Sequence, residues 1–256
     1  MSKALVILSG GQDSTTCLFW AKKHFDEVHA VTFYYGQRHV IELDAAQKVA
    51  EIAGVASHEF IEIPNCLKST SPLTSDTKLE KYESFEQMEK TVGKKVESTF
   101  VPMRNMLFFT IAMNRAIYLG CDTLVTGICA TDNANYPDCT AQFLESFNHA
   151  ASTSLGVDNF QVVAPLLYNT KCETVEMAYA MPDCWKALAY SHTSYDGKYP
   201  PTDNNHSNIL RAQGFLEAGL PDPLVVRAVV EGIMPMPTTK NYREELFDET
   251  QAIIGI

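Results

Sequence analysis

The sequence predicts an α/β fold, a doubly wound parallel sheet with a small C-terminal subdomain. Residues 4–8 form a continuous apolar run, which is typical of a strand buried on both faces of a parallel sheet. Further β-branched and aromatic runs alternate with helical patterns, and that alternation indicates parallel strands joined by right-handed crossovers. A glycine-containing turn at residues 9–14 joins the first strand to a helix, at the sheet edge where such folds bind ligands.

The elements follow the first turn in a regular order. Further strands are expected at residues 28–35, 58–63, 123–127 and 161–167. Apolar stripes at helical spacing lie between them, closing at Gly54 and at Gly120, and another stripe surrounds Phe143 and Phe147. Residues 1–181 are therefore expected to form one catalytic domain, and residues 182–256, rich in Pro, Asn and Asp, the appended subdomain.

Residues 65–99 interrupt this alternation with Ser, Thr, Lys and Glu and with little apolar periodicity. Long segments of this kind are either functional or simply solvated. Two interpretations stay open for this insertion: a lid over the ligand crevice, or an excursion over the surface.

The turn at residues 9–14 has the chemistry of an anion site. Gly10 and Gly11 allow positive φ and a close backbone approach, and Asp13 and Ser14 are expected to cap the following helix. Backbone N–H groups at a helix N-terminus bind anions, usually phosphate. The turn has no lysine at the helix start, which excludes the Walker A pattern. An ordinary strand-to-helix connection is the alternative.

Composition limits the partners. The 256 residues carry a net charge of −11, which argues against a nucleic-acid partner, although a local basic patch stays possible. The seven cysteines are scattered without a CxxC pair, as expected of reduced thiols. No apolar stretch approaches the roughly 20 residues of a membrane span, and no signal-like segment follows Met1. We expect a cytoplasmic protein without a membrane partner.

The residues 9–14, SGGQDS, resemble the signature of the PP-loop ATP pyrophosphatases, whose fold is Rossmann-like. Together with YGQRH at 35–39, VPMRN at 101–105 and the stretches 132–139 and 190–197, they are similar to the QueC branch of that family. The resemblance implies an ATP-dependent ligase that converts 7-carboxy-7-deazaguanine and ammonia to 7-cyano-7-deazaguanine. The implied route passes through an adenylated acid, an amide and an adenylated amide.

The resemblance also implies roles for particular residues. The ATP site would comprise Ser9, Gly10, Gly11, Asp13, Ser14, Gln37 and His39, with Asp13 also holding Mg²⁺. The catalytic residues would be Lys171, Arg104 and Asp132. Lys171 begins a predicted helix, where a cation is unfavourable unless it faces an anion. The alternatives are a helix cap for Asp13, surface ion pairs for Arg104 and Lys171, and a neutral capping histidine for His39.

The deazaguanine base would be bound by Tyr136, Asp138 and Phe143. A carboxylate accepts from ring N–H and amine groups, and an aromatic ring gives a stacking face. Taken without the resemblance, Phe143 is better explained as a core residue. The family reads Asp-Cys-Arg where this chain has Thr140 after Cys139, which weakens the substrate assignment.

The largest departure from the family concerns zinc. QueC proteins are similar to one another in four C-terminal cysteines that bind zinc, and this chain has Ser194, Thr202, Asn205 and Asn208 in their places. A tetrahedral thiolate site cannot form from these residues. We therefore expect no structural zinc and, in its place, hydrogen bonds among Asn, Asp, Thr and Ser.

Several functions remain open on the sequence. The enzyme could make the nitrile with polar contacts replacing zinc, stop at the amide, or modify another carboxylate. A non-catalytic nucleotide-binding module is a further alternative, as is a PP-loop enzyme acting on transfer RNA, although this acidic chain lacks the expected basic region. The resemblance suggests a homodimer. Because no glutaminase-like region is evident, free ammonium is the expected nitrogen source.

Overall fold

The chain folds around a parallel sheet with helices on both faces. The computed structural model describes residues 1–36, 41–132, 134–157, 159–195 and 197–256. Within them the sheet has five strands: β1 (Lys3–Ile7), β2 (Glu27–Tyr34), β3 (Ser57–Glu62), β4 (Thr123–Val125) and β5 (Gln161–Val163). Their order is β3-β2-β1-β4-β5, and every pairing is parallel. The predicted doubly wound α/β fold is confirmed.

The helices assigned in the described ranges flank this sheet. They are α1 (Gln12–His24), α2 (Ile41–Ala53), α3 (Phe85–Val92), α4 (Arg104–Tyr118), α5 (Ala141–Leu155), α6 (Lys171–Tyr179), α7 (Pro182–Leu188), α8 (His206–Ala218), α9 (Pro223–Val230) and α10 (Glu244–Ile254). A 3₁₀ turn over Pro137–Cys139 precedes α5.

Strand β1 is buried on both faces, as its continuous apolar sequence predicts. Ala4 and Val6 point into a core shared with α1, α2, α6 and α7, whereas Leu5 points into a second core shared with α4 and α5. Because side chains alternate along a strand, one short run supplies both cores. The strand order changes direction between β1 and β4, so the segments that follow these two strands border the crevice.

The insertion contains more structure than its sequence predicts. Helix α3 begins after Ser84, whose hydroxyl accepts from the backbone N–H of Gln87. Met88 and Val92 are buried against Leu210 of α8. The apolar repeat of α3 is only two turns long, which is why the sequence pattern did not show it.

The C-terminal region begins inside the central core. Trp185 of α7 is fully buried in the same cluster as Val6, whereas α9 and α10 contribute to a separate cluster around Val226 and Phe247. The division at residue 181 stays a prediction. None of the helices in the described ranges is long and apolar enough to cross a bilayer.

Candidate active site

A cleft of about 520 Å³ opens at the carboxyl ends of β1 and β4. Its walls come from the turn after β1, the segment after β4, the start of α4 and the segment after α7. Its lining includes Gly11, Gln12, Asp13, Glu42, Arg104, Asp132, Tyr136 and Thr193. Pro72, Leu73 and Leu79 of the insertion also line it, so the insertion does reach the crevice. Its action as a lid stays a prediction.

The turn at residues 9–14 is held by its own side chains. Ser14 Oγ accepts from Ser9 N at 3.1 Å and donates to Gly11 O at 3.2 Å. The expectation that Asp13 or Ser14 caps α1 is wrong: the cap residue is Gly11, without a side-chain hydrogen bond. Both side chains lie in the first turn of the helix: Ser14 closes the turn onto Ser9 and Gly11, and Asp13 contacts Lys171.

Two positions in the site have little room for a side chain larger than that of glycine. Gly10 has φ +82°, and a Cβ there would lie 2.6 Å from the Glu42 carbonyl oxygen, so α2 packs directly on this residue. A Cβ at Gly127, just after β4, would lie 3.0 Å from Ser14 N. The Gly10 contact is closer than a side chain permits, and the Gly127 contact is tight enough that Ser14 would have to shift. Both glycines therefore let the 9–14 turn pack closely against its two neighbours.

Lys171 joins two separate segments of the cleft. Its Nζ lies 2.6 Å from Asp13 Oδ2 and 3.1 Å from Asp132 Oδ2, with only 12% of the lysine side chain exposed. Burial opposes the charge, but the two carboxylates raise the pKa of Lys171 above its ordinary value. Burial raises the pKa of the Asp13 carboxyl, and the Lys171 charge acts in the opposite direction. The cation at this helix start therefore faces anions, as the sequence required.

The packing of α6 fixes that lysine. Thr170 caps the helix in a capping box with Glu173. In α8, a Cβ at Gly214 would lie 2.7 Å from Lys171 Cβ, so the absence of a side chain there lets α6 and α8 touch. The Lys171 backbone is thereby held at one position relative to the sheet.

Arg104 enters the opposite side of the cleft. Met103, immediately before it, has φ +65°, a conformation that costs roughly 1 kcal/mol or more for a residue with a side chain. Burial lowers the pKa of Arg104, but the oxygens of Tyr35, Tyr195 and Asp138 are among the groups that raise it above its ordinary value overall. The guanidinium is thus a fixed positive charge facing the cleft.

Glu42 is a cleft residue that the sequence reasoning missed. It is half-buried, and burial raises the pKa of its carboxyl to about 7, with Arg104 lowering it only in part. Its position just after the YGQRH stretch is the sequence feature that could have identified it as a site residue. A carboxyl with this pKa can exchange a proton near neutral pH.

The predicted base-binding residues separate into two groups. The Tyr136 ring lines the cleft 5.5 Å from the Phe100 ring, and its hydroxyl contacts Thr99 Oγ1 and Glu97 Oε2. Glu97 is buried, and nothing in its sequence context pointed to this contact. The result is an aromatic face held in one orientation.

Asp138 lies behind that wall of the cleft. It is buried, and Asn105 donates to it twice: N to Oδ2 at 3.4 Å and Nδ2 to the carbonyl oxygen at 3.1 Å. Burial raises the pKa of the Asp138 carboxyl, and the nearby Arg104 charge lowers it in part. Asn105 is a second residue that the reasoning missed, although it follows Arg104 in the VPMRN stretch.

Sequence comparison identifies the family. The family model described as "Queuosine biosynthesis protein QueC" matches residues 3–219. The chain belongs to the QueC family. A protein of Gloeobacter violaceus named 7-cyano-7-deazaguanine synthase is 45% identical over 228 residues, covering 88% of this chain and 96% of the relative. A Chromobacterium violaceum protein of the same name is 43% identical over 232 residues, covering 90% and 95%. The family is one of enzymes.

Solved structures show weaker likenesses to this QueC-family chain. A 4-thiouridine synthetase in complex with RNA and bound ATP has a TM-score of 0.47 at 17% identity, covering 84% of this chain and 53% of that chain. The NH3-dependent NAD synthetase of Campylobacter jejuni has a TM-score of 0.40 at 12% identity, covering 99% and 83%.

Not every site residue predicted for this QueC-family chain can be placed in the cleft lining. Gln37 and His39 lie outside the described residues. Phe143 packs 5.7 Å from the Phe109 ring and 6.3 Å from the Phe147 ring, in the core beneath the cleft rather than in its lining. Its role in base binding stays a prediction.

Three of the four positions of the family's zinc cysteines take part in a hydrogen-bonded cluster in this chain. Asn208 Nδ2 donates to Ser194 Oγ at 2.8 Å and to Asp203 Oδ1 at 3.0 Å. Asn205 Nδ2 donates to the same two acceptors at 3.2 and 2.7 Å. We call Ser194, Asp203, Asn205 and Asn208 the polar clip. These residues include no thiolate, and the side-chain N–H groups of both asparagines are directed at oxygens of the clip itself, so they do not fit a zinc ion.

Thr140, which replaces the family's arginine, has a local structural role. Its hydroxyl accepts from Phe143 N at 3.2 Å and donates to the Pro137 carbonyl oxygen at 3.0 Å. It therefore caps α5 and closes the preceding 3₁₀ turn. The charge that an arginine would bring to this wall is absent from position 140, which leaves Arg104 as the cation facing Asp138.

Proposed function

We propose that this protein converts 7-carboxy-7-deazaguanine and ammonia to 7-cyano-7-deazaguanine with ATP, through adenylated acid and amide intermediates. The observation that carries the proposal is the Lys171 bridge between Asp13 and Asp132, placed across the crevice from Arg104. Its relatives named 7-cyano-7-deazaguanine synthase support the same reaction. Product release of pyrophosphate, rather than γ-phosphoryl transfer, fits a turn without a Walker lysine.

The 9–14 turn fits the phosphates of ATP. The N-terminus of α1 offers a positive dipole, and Gly11 leaves the backbone accessible. Asp13 Oδ1 is buried without a hydrogen-bond partner among the described residues, which fits a Mg²⁺ ion or its water. No group of three or more His, Cys, Asp or Glu side chains able to hold a metal occurs in the described ranges. Mg²⁺ would therefore enter with the nucleotide.

Lys171 and Arg104 would have separate roles in the reaction. Lys171 is positioned to neutralise charge developing on the leaving pyrophosphate, while Asp13 and Asp132 hold its ammonium in place. Arg104 would orient the carboxylate to be adenylated, since a guanidinium binds a carboxylate through two parallel bonds. Tyr136 would stack on the deazaguanine, and Asp138 would accept from its N–H groups.

The test is direct incubation of the purified protein with 7-carboxy-7-deazaguanine, Mg·ATP and ammonium chloride, followed by product mass and pyrophosphate release. The nitrile mass with two pyrophosphates released per product supports the proposal. An amide as the final mass would show instead that the reaction stops at the amide. Nucleotide binding without pyrophosphate release contradicts catalysis and leaves a binding module. A homodimer is also proposed, to be tested by light scattering.

A further inference from the structure

His192, Thr193 and Tyr195, which follow α7, line one wall of the cleft, and two of them bond to the 9–14 turn. His192 N donates to the Gly10 carbonyl oxygen at 2.8 Å, and Gln12 N donates to Thr193 Oγ1 at 3.3 Å. A Cβ at Gly11 would lie 4.0 Å from that same hydroxyl. Thr193 therefore stands beside the backbone that the proposed function assigns to phosphate.

Arg211 of α8 fixes the other side of Thr193. Its guanidinium, 4% exposed, donates Nε and Nη2 to the two carboxylate oxygens of Asp222 at 2.6 and 2.8 Å. Nη1 donates to Ser191 Oγ and to Thr193 Oγ1, each at 2.9 Å, and Nη2 also donates to the Leu188 carbonyl oxygen at 3.3 Å. These bonds use all five N–H groups of the side chain. Arg211 has no donor left for a ligand and acts only through its neighbours.

The two contacts determine where the Thr193 proton points. A backbone N–H and a guanidinium N–H can only donate, so Thr193 Oγ1 must accept from both Gln12 and Arg211. A hydroxyl has two acceptor positions, and both are thereby filled. Its own proton occupies the remaining direction, and among the described residues it meets no acceptor. Since Thr193 is half-buried and lines the cleft, that direction is toward a ligand.

We infer that Thr193 is a nucleotide-binding residue, whose hydroxyl donates to a phosphate oxygen of ATP or of the pyrophosphate it releases, and that Arg211 is its positioning residue. The inference rests on the proposed function for the identity of the anion. It adds a donor from the C-terminal part of the chain to a site otherwise built from the N-terminal turn. The polar clip adjoins this residue, because Ser194 directly follows Thr193. Ser207, which is outside the clip, donates its Oγ proton to the Thr193 carbonyl oxygen at 2.9 Å.

The test compares three variants in full-length protein. Thr193→Val keeps the shape and removes the hydroxyl, and Thr193→Ser keeps the hydroxyl. Ser191→Ala is the matched control, because Ser191 also accepts from Arg211 Nη1 but is fully buried and lies outside the cleft lining. The affinity for Mg·ATP and for inorganic pyrophosphate is measured by calorimetry, and the steady-state kcat and KM by pyrophosphate release.

A hydrogen bond to a charged group changes an equilibrium by about 10-fold or more. We expect Thr193→Val to weaken the binding of Mg·ATP and pyrophosphate by about 10- to 100-fold. The affinities of Thr193→Ser and of Ser191→Ala should both stay within about 3-fold of wild type. Equal losses in Thr193→Val and Ser191→Ala, or no loss in Thr193→Val while wild type binds ATP, overturn the inference.

The positioning role of Arg211 is tested by asking whether the effect of its substitution depends on the Thr193 hydroxyl. Arg211→Lys should weaken ATP binding in the wild-type background and add little to Thr193→Val, because both changes remove one interaction. Additive losses contradict the positioning role. The binding assays need no deazaguanine, so a failure of the proposed acceptor chemistry is seen separately, as ATP binding without product. Wild-type protein that binds neither ATP nor pyrophosphate overturns the proposed function and this inference together.

Discussion

Lys171 Nζ lies 2.6 Å from Asp13 Oδ2 although 158 residues separate them in the chain. The same ammonium lies 3.1 Å from Asp132 Oδ2, so one cation holds together the segments after β1 and β4. The carboxylates of Asp13 and Asp132, which contact the same ammonium, would repel each other if no positive charge lay between them. The bridge therefore stabilises the site and also places a cation beside the proposed phosphate position.

Replacing Lys171 with methionine should reduce the rate of pyrophosphate release by about 100-fold or more, because a positioned charge on the leaving group is lost. The free energy of unfolding should fall by about 3 kcal/mol, since two carboxylates remain without their cation. Adding Asp132→Asn should recover part of the stability, measured by urea denaturation, and none of the rate. A Lys171→Met protein with wild-type turnover contradicts the assigned role.

Gly11→Ala separates ligand binding from folding. Gly11 has φ −80°, and the nearest heavy atom to an added Cβ is Ser9 Oγ at 3.4 Å, so the free protein accepts alanine. The methyl group would occupy the space that a phosphate approaches, so we expect at least a 10-fold weaker Mg·ATP affinity, about 1.4 kcal/mol, with little change in Tm. Gly10→Ala is the contrast: its Cβ would lie 2.6 Å from the Glu42 carbonyl oxygen, and it should lower Tm strongly. Unchanged ATP affinity in Gly11→Ala would show that the phosphates lie elsewhere.

Glu42 should make stability depend on pH. Burial raises the pKa of this carboxyl from 4.5 to about 7, so between these values the folded protein keeps a proton that the unfolded chain has lost. The contribution of Glu42 to the free energy of unfolding therefore falls as pH rises from about 4.5 to 7, and it levels off above that range. Glu42→Gln should flatten this slope in urea denaturation across pH 5–8, with the exposed Asp44→Asn as the control. An unchanged slope in Glu42→Gln contradicts the raised pKa.

Asp138→Asn tests base recognition. An amide in place of the carboxylate presents N–H groups to N–H groups of the base, so we expect kcat/KM for the carboxy-deazaguanine to fall by about 100-fold. The affinity for Mg·ATP should stay unchanged. Glu145→Gln, on the exposed face of α5, controls for the change in net charge. Parallel losses of ATP and base binding would mean that Asp138 acts through the Asn105 contacts on the structure of the wall instead.

The polar clip should make stability independent of zinc. Asn208→Ala removes donors to Ser194 and Asp203 and should cost about 1–3 kcal/mol, whereas the exposed Asn204→Ala should cost little. A zinc chelator should leave the wild-type Tm unchanged. It should lower the Tm of a variant with cysteine at all four clip-region positions, 194, 202, 205 and 208, which is expected to bind one zinc. About one zinc per purified wild-type chain contradicts this account.

Much of the fold could be predicted from the sequence because it depends on local patterns of residues. The run of residues 4–8 predicted a strand buried on both faces, and Lys171 at a helix start predicted a facing anion; β1 and the Asp13–Lys171 pair agree. Helix α3 was missed because two turns give too short a repeat. The capping role expected of Asp13 and Ser14 failed because Gly11 takes the cap position.

The sequence by itself determined the parallel α/β sheet, the glycine-containing turn after its first strand and the absence of thiolates at the family's zinc positions. Only the tertiary structure decided which side chains meet. Some of the contacts in the site join segments that are distant in the chain: Asn105 bonds to Asp138, Tyr136 to Glu97, and Arg211 to Thr193. Periodicity and spacing report the local backbone and which face of an element is buried. The partners of a buried polar group depend on how complete elements pack, so these contacts required the folded chain.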